Sequence, residues 1–214
     1  MSYRSEIIAR LRDPGVIPVI RAFDAADVMP VCEALLAGGL NALEITMTTP
    51  NALKLIPEAL KRFGSRAVVG VGTVTTPEMC LDAIRAGASF VVTPVMKPEI
   101  ARVCQGADRV CILGAFTPTE AQAAHEAGAD FIKIFPAEGP SYVGAVLSPM
   151  PHLKIVPTSG VNLKTGPEYF AMGCPMVGVG SSLVSKRMLI EKNWTELTRL
   201  AGEFAEMARK AARR

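Results

Sequence analysis

Lys133 stands inside an otherwise apolar run, Phe131-Ile132-Lys133-Ile134-Phe135-Pro136. A parallel strand covered on both faces offers an ammonium group no water. Burial disfavours the charged form, so the run predicts a lowered pKa for Lys133 and free amine near neutral pH. A desolvated amine is the nucleophile that condenses with a ketone to give a Schiff base. The same position also suits a lysine that reaches the rim of the fold or pairs with a carboxylate. Glu44 supplies a carboxylate in Ala42-Leu43-Glu44-Ile45-Thr46, where alternation sends Ala42, Glu44 and Thr46 to one face. Brought into one interior, Glu44 and Lys133 make either a space-filling ion pair or an amine with a general acid/base beside it. Two buried groups of opposite charge in one small interior favour the second.

Other polar residues close apolar runs. Arg21 ends Ile17-Pro18-Val19-Ile20-Arg21 and is either a rim charge or a clamp for a substrate carboxylate. Gly70-Val71-Gly72-Thr73 leaves room for a ligand and offers a hydroxyl, although small residues also serve a tight corner. Val156-Pro157-Thr158-Ser159-Gly160 and Gly178-Val179-Gly180-Ser181-Ser182 end in small and hydroxyl residues, and neither carries a cation. Such paired loops cradle phosphate through backbone N–H groups; two tight turns are the alternative.

Chemistry at these positions needs a scaffold that brings run ends together. Strands are predicted over Val16–Ile20, Ala42–Thr46, Ala67–Val71, Phe90–Thr93, Arg109–Leu113, Phe131–Phe135, Lys154–Pro157 and Met176–Val179, each followed by a helical segment. Eight such units without a low-complexity linker predict an α/β fold, a (β/α)8 TIM barrel, as a single domain over 1–214. Helix starts are predicted at Thr49-Pro50, Thr76-Pro77 and Thr117-Pro118, the last with Glu120 completing a capping box. Helix ends are predicted at Gly38, Gly87, Gly128 and Gly173. An N-terminal helix over Ser5–Leu11 would close the barrel floor. A last helix over Trp194–Ala211 would pack Trp194, Leu197, Leu200, Phe204 and Met207 as one stripe. An open doubly wound sheet shares this alternation, but no G-x-G-x-x-G follows the first strand.

Composition narrows the classes. Half of the 214 residues are hydrophobic, yet no apolar stretch reaches the ~18 residues of a membrane span. Met1–Arg12 has interspersed charges and no signal-peptide core. The net charge of +3 is small, and Arg209, Lys210, Arg213 and Arg214 suit the last turn of a helix, with no nucleic-acid stripe. Five scattered cysteines without a C-x-x-C pair read as buried free thiols and a cytoplasmic location. Two histidines without ligand spacing argue against a transition-metal site.

With these residues in hand, the chain resembles the 2-keto-3-deoxy-6-phosphogluconate (KDPG) and 4-hydroxy-2-oxoglutarate aldolases, class I pyruvate aldolases. The likeness rests on Pro18-Val19-Ile20-Arg21, Ala37-Gly38-Gly39, Leu43-Glu44-Ile45-Thr46, Gly70-Val71-Gly72-Thr73-Val74, Thr93-Pro94, Lys133-Ile134-Phe135-Pro136-Ala137 and Gly178-Val179-Gly180-Ser181. The resemblance implies Lys133 as the Schiff-base lysine and Glu44 as the proton shuttle. It implies Thr73 at the pyruvyl carboxylate, Pro94 and Phe135 as pocket walls, and Thr158, Gly160, Gly180 and Ser181 around phosphate. It further implies a phosphorylated keto acid as substrate, no cofactor or metal, and a homotrimer. Thr48 stands where many members carry a carboxylate-binding arginine; Thr48 is still expected at the substrate, with Arg21 supplying the charge. Ser159 stands where the family usually has glycine, so a positive φ there would cost serine about 1 kcal/mol. The rivals are a phosphogalactonate or 4-hydroxy-2-oxoglutarate substrate, a metal-dependent aldolase, and a catalytically silent sugar-acid binding protein.

Overall fold

The computed structural model describes residues 2–212, so Arg213 and Arg214 of the expected basic tail lie outside it. Eight strands, β1 (Val16–Ile20), β2 (Ala42–Thr46), β3 (Val68–Gly72), β4 (Phe90–Val92), β5 (Val110–Ala115), β6 (Phe131–Ile134), β7 (Ile155–Pro157) and β8 (Val177–Val179), run parallel. Neighbours in sequence pair from β1 to β7, and β8 returns to β1. A lone parallel bridge between Thr158 and Gly178 joins β7 to β8 and brings the sheet round to a nearly closed barrel. Ten helices alternate with the strands or flank them among the described residues. They are α1 (Tyr3–Leu11), α2 (Val28–Ala37), α3 (Ala52–Phe63), α4 (Pro77–Arg85), α5 (Pro98–Gly106), α6 (Pro118–Glu126), α7 (Pro140–Leu147), α8 (Gly166–Ala171), α9 (Lys186–Glu191) and α10 (Trp194–Ala212). The (β/α)8 expectation therefore holds, with strand ends shifted by a residue or two.

Strand alternation divides the apolar residues into two bodies. Ile17, Ala42, Val68, Phe90, Val110, Ile112, Phe131, Val156 and Met176 fill the lower lumen, and Ile7 and Leu11 of α1 plug it from below. The outward residues, among them Leu43, Ile45, Val69, Val71, Leu113 and Ile132, pack under the helices. Each fully buried aliphatic side chain contributes roughly 1.5–3 kcal/mol, so the lower lumen is a packed plug and the chemistry is left to its upper end. Asp130, nearly buried, accepts from Arg4 at 2.7 Å and from the Cys111 N–H at 2.9 Å, tying α1 to the β5–β6 side of the floor.

Two of the three predicted helix starts are as expected. Thr76 accepts from the Met79 N–H at 3.2 Å, and Thr117 and Glu120 form the full capping box. The third is corrected: α3 begins at Ala52 behind Asn51, which is left-handed at φ 60°. The Thr49 hydroxyl is spent elsewhere, 3.2 Å from that of Thr46 and accepting from the Ala22 N–H at 3.3 Å, which ties the loop after β1 to that after β2. Gly87, Gly128 and Gly173 take positive φ as predicted, whereas after α2 it is Gly39, not Gly38, that does so. In α10, Leu197 and Phe204 are buried while Trp194, Leu200 and Met207 are half-buried against the same core. All five cysteines are buried free thiols, and burial pushes Cys32 and Cys174 up to about 12.

Candidate active site

The C-terminal strand ends surround a cavity of about 370 Å³. Its wall includes Arg21, Thr73, Pro94, Lys133, Phe135, Thr158, Ser159, Gly160, Gly180 and Ser181, ten of the twelve residues singled out in the sequence. Lys133 projects from β6, in register with Gly114 of β5 and Val156 of β7, and is only 6% exposed. Its Nζ lies 4.9 Å from the centroid of the Phe135 ring, which leans over the amine from the rim. Among the described residues Lys133 makes no ion pair, so the direct Glu44–Lys133 pair does not form.

Glu44 lies beneath the cavity wall, 3% exposed, and its Oε1 is buried with no hydrogen-bond partner. Burial pushes its carboxyl above the ordinary carboxylate range, while the positive charges of Lys133 and Arg21 pull it the other way. A glycine at position 72 makes room for this carboxylate: a Cβ there would come within 1.9 Å of Glu44 Oε1. The room left by small residues here is therefore not free for a ligand: at Gly72 it is taken by the Glu44 carboxyl and at Gly70 by the Phe90 ring. A carboxyl whose pKa is raised in this way holds a proton more readily than an ordinary carboxylate and can act as a general acid or base.

Arg21 is exposed at the mouth, and its Nη2 reaches the Thr73 hydroxyl at 3.5 Å. Thr73 holds φ 61°, an uncommon conformation for a β-branched residue, which turns the chain across the top of β3. Thr48 departs from expectation. It does not line the cavity; it is exposed, and its hydroxyl sits 3.0 Å from that of Thr46 within the threonine cluster.

The two small-residue loops meet along one wall of the cavity. Among the described residues, the backbone N–H groups of Ser159, Gly160, Ser181 and Ser182 have no partner within the chain. Ser159 has φ 78°, the positive value at which serine is disfavoured. Left-handed backbone costs an L-residue about 1–2 kcal/mol, and glycine's extra unfolded-state freedom offsets about 0.4–1 kcal/mol of that. Ser159→Gly is therefore expected to raise the unfolding free energy by roughly 0.5–1 kcal/mol. A shift in urea midpoint at constant slope measures this, and no shift would show the loop to be unstrained. Phe23 and Lys186 also line the cavity and were not singled out in the sequence. Lys186 brings a cation to a wall whose loops have none.

The model of the KDPG and KHG aldolase family matches residues 7–200. The chain belongs to that family. Among curated members of the KDPG and KHG aldolase family, the 2-dehydro-3-deoxy-phosphogluconate aldolase of Haemophilus influenzae is 34% identical over 211 residues. That match covers 97% of this chain and 99% of the relative. A native KDPGal structure superposes with a TM-score of 0.85 at 28% identity, covering 93% of this chain and 96% of that one. KDPG aldolase from Legionella pneumophila, with pyruvate captured as a covalent carbinolamine, superposes with a TM-score of 0.79 at 30% identity. There the coverage is 96% of this chain and 97% of that one.

Proposed function

We propose that this aldolase cleaves 2-keto-3-deoxy-6-phosphogluconate to pyruvate and glyceraldehyde 3-phosphate, with Lys133 as the Schiff-base lysine and Glu44 as the proton shuttle. The observation that carries this is a single buried amine facing a cavity, with a dry carboxyl of raised pKa behind it. Lys133 attacks the C2 ketone to give a carbinolamine and then a protonated imine. The imine takes up the electrons of the C3–C4 bond as Glu44 accepts the C4 hydroxyl proton. The enamine is protonated at C3, and water releases pyruvate. Arg21 and Thr73 hold the carboxylate, Pro94 and Phe135 wall the pyruvyl end, and Thr158, Ser159, Gly160, Gly180 and Ser181 receive phosphate. No residue is assigned to a metal, and activity in EDTA tests that.

Borohydride added with pyruvate is expected to fix the label on the peptide containing Lys133, read by mass mapping. Labelling elsewhere, or none, would overturn the assignment. The similarity to the KDPGal structure favours the epimeric phosphogalactonate as the second reading, separated from the first by the ratio of kcat/KM on the two sugar acids. The proposal includes a homotrimer in the cytoplasm. Exposed Val95 and Phe116 at the ends of β4 and β5, beside Phe135, supply an apolar surface for subunit contact, which sedimentation measures. Among the described residues no helix is long and apolar enough to cross a membrane.

A further inference from the structure

The cavity wall contains three cations, Arg21, Lys133 and Lys186, and no carboxylate. Arg21 is turned toward Thr73, and Lys133 is the buried amine. Lys186 is the third, and neither the reaction nor the carboxylate clamp uses it. It is the first residue of α9, and the Ser185 hydroxyl accepts from the Met188 N–H at 3.1 Å, which fixes where Lys186 leaves the backbone. Its Nζ lies 5.5 Å from the centroid of the Phe23 ring. Phe23 is 63% exposed, two residues beyond Arg21, so the ring spends its face on the ammonium instead of on the core. Lys192 and Lys210 have carboxylate partners, whereas Lys186 has none among the described residues.

We propose that Lys186, held by Phe23, is a specificity-determining residue that reads the charge on the distal end of the substrate and selects a phosphorylated keto acid over its unphosphorylated counterpart. The proposal rests on the Schiff-base reading above and adds to it a charge sensor outside the two loops. Backbone N–H groups orient phosphate oxygens but bring no net charge. A lysine brings one full charge on a flexible stem, which tolerates a phosphate that rotates. Because Lys186 is exposed, its effect is modest and screened by salt.

Lys186→Met is expected to raise KM for 2-keto-3-deoxy-6-phosphogluconate about tenfold, with kcat within about twofold and the loss shrinking at high ionic strength. Lys186→Arg should recover most of it, and Phe23→Leu should reproduce about threefold of it. With unphosphorylated 2-keto-3-deoxygluconate, kcat/KM should move less than twofold. An unchanged KM for the phosphorylated substrate, or equal losses on both, overturns the proposal. Borohydride trapping of pyruvate on Lys133 in the same variants reports the Schiff-base reading separately. Inorganic phosphate binding, followed by calorimetry, reads Lys186 without turnover. Equal phosphate affinity in wild type and Lys186→Met, or no binding by either, overturns the proposal whatever the trapping shows.

Discussion

Replacing Lys133 by methionine will remove aldol cleavage, by roughly 10⁴-fold or more as for other deleted nucleophiles, and leave the barrel folded. Methionine matches the length of the lysine stem and fills the same 6%-exposed site without an ammonium to desolvate. Thermal unfolding should therefore stay at or above the wild-type midpoint while pyruvate trapping disappears. Lys133 also pulls the Glu44 carboxyl down, so its loss should raise the pKa of that carboxyl further. Cleavage by Lys133→Met at a wild-type rate would end the Schiff-base assignment.

Glu44→Gln should lower kcat by roughly 10²–10⁴-fold, the span of general acid–base contributions, with imine trapping slowed but still observed. The same variant tests the electrostatics. The folded carboxyl titrates above its ordinary value of 4.5 because burial disfavours its charge. Between those two values the folded chain binds more protons than the unfolded chain, so wild-type stability falls as pH rises through the interval. That penalty is complete once Glu44 is ionised and absent below the unfolded value. Glutamine cannot ionise, so denaturation against pH should give the variant a relative gain in stability on the alkaline side that is absent on the acid side. Parallel stability curves for the two proteins would show that Glu44 is not held in a dry site.

The barrel was legible because its elements are local and repetitive. β-branched runs, threonine–proline caps and glycine stops need no knowledge of the partner segment. Glu44 and Lys133 were legible for the opposite reason, each breaking a pattern that demanded hydrocarbon. What escaped was non-local. Thr49 has every local mark of a helix cap, but its hydroxyl is claimed by Thr46 and by the Ala22 N–H of another loop. Thr48 sits four residues after Glu44 in sequence, yet its hydroxyl turns to Thr46. Lys186 and Phe23 lie more than 160 positions apart in the chain, and nothing in either segment announces that they meet over one cavity. The surviving local signal was a lysine at a serine-capped helix start a few residues beyond Ser182, and it is weak alone.

The meeting of β7 and β8 has a thermodynamic corollary. Seven of the eight strand junctions are ladders, while this one holds a lone rung at Thr158 and Gly178, directly below the two loops that flank it. Any anion gripped by both loops works as an extra stitch across the least-sewn seam of the cylinder. Occupancy and closure then favour each other, as linkage requires of a ligand that prefers the shut form. The barrel would then be most stable with such an anion in place.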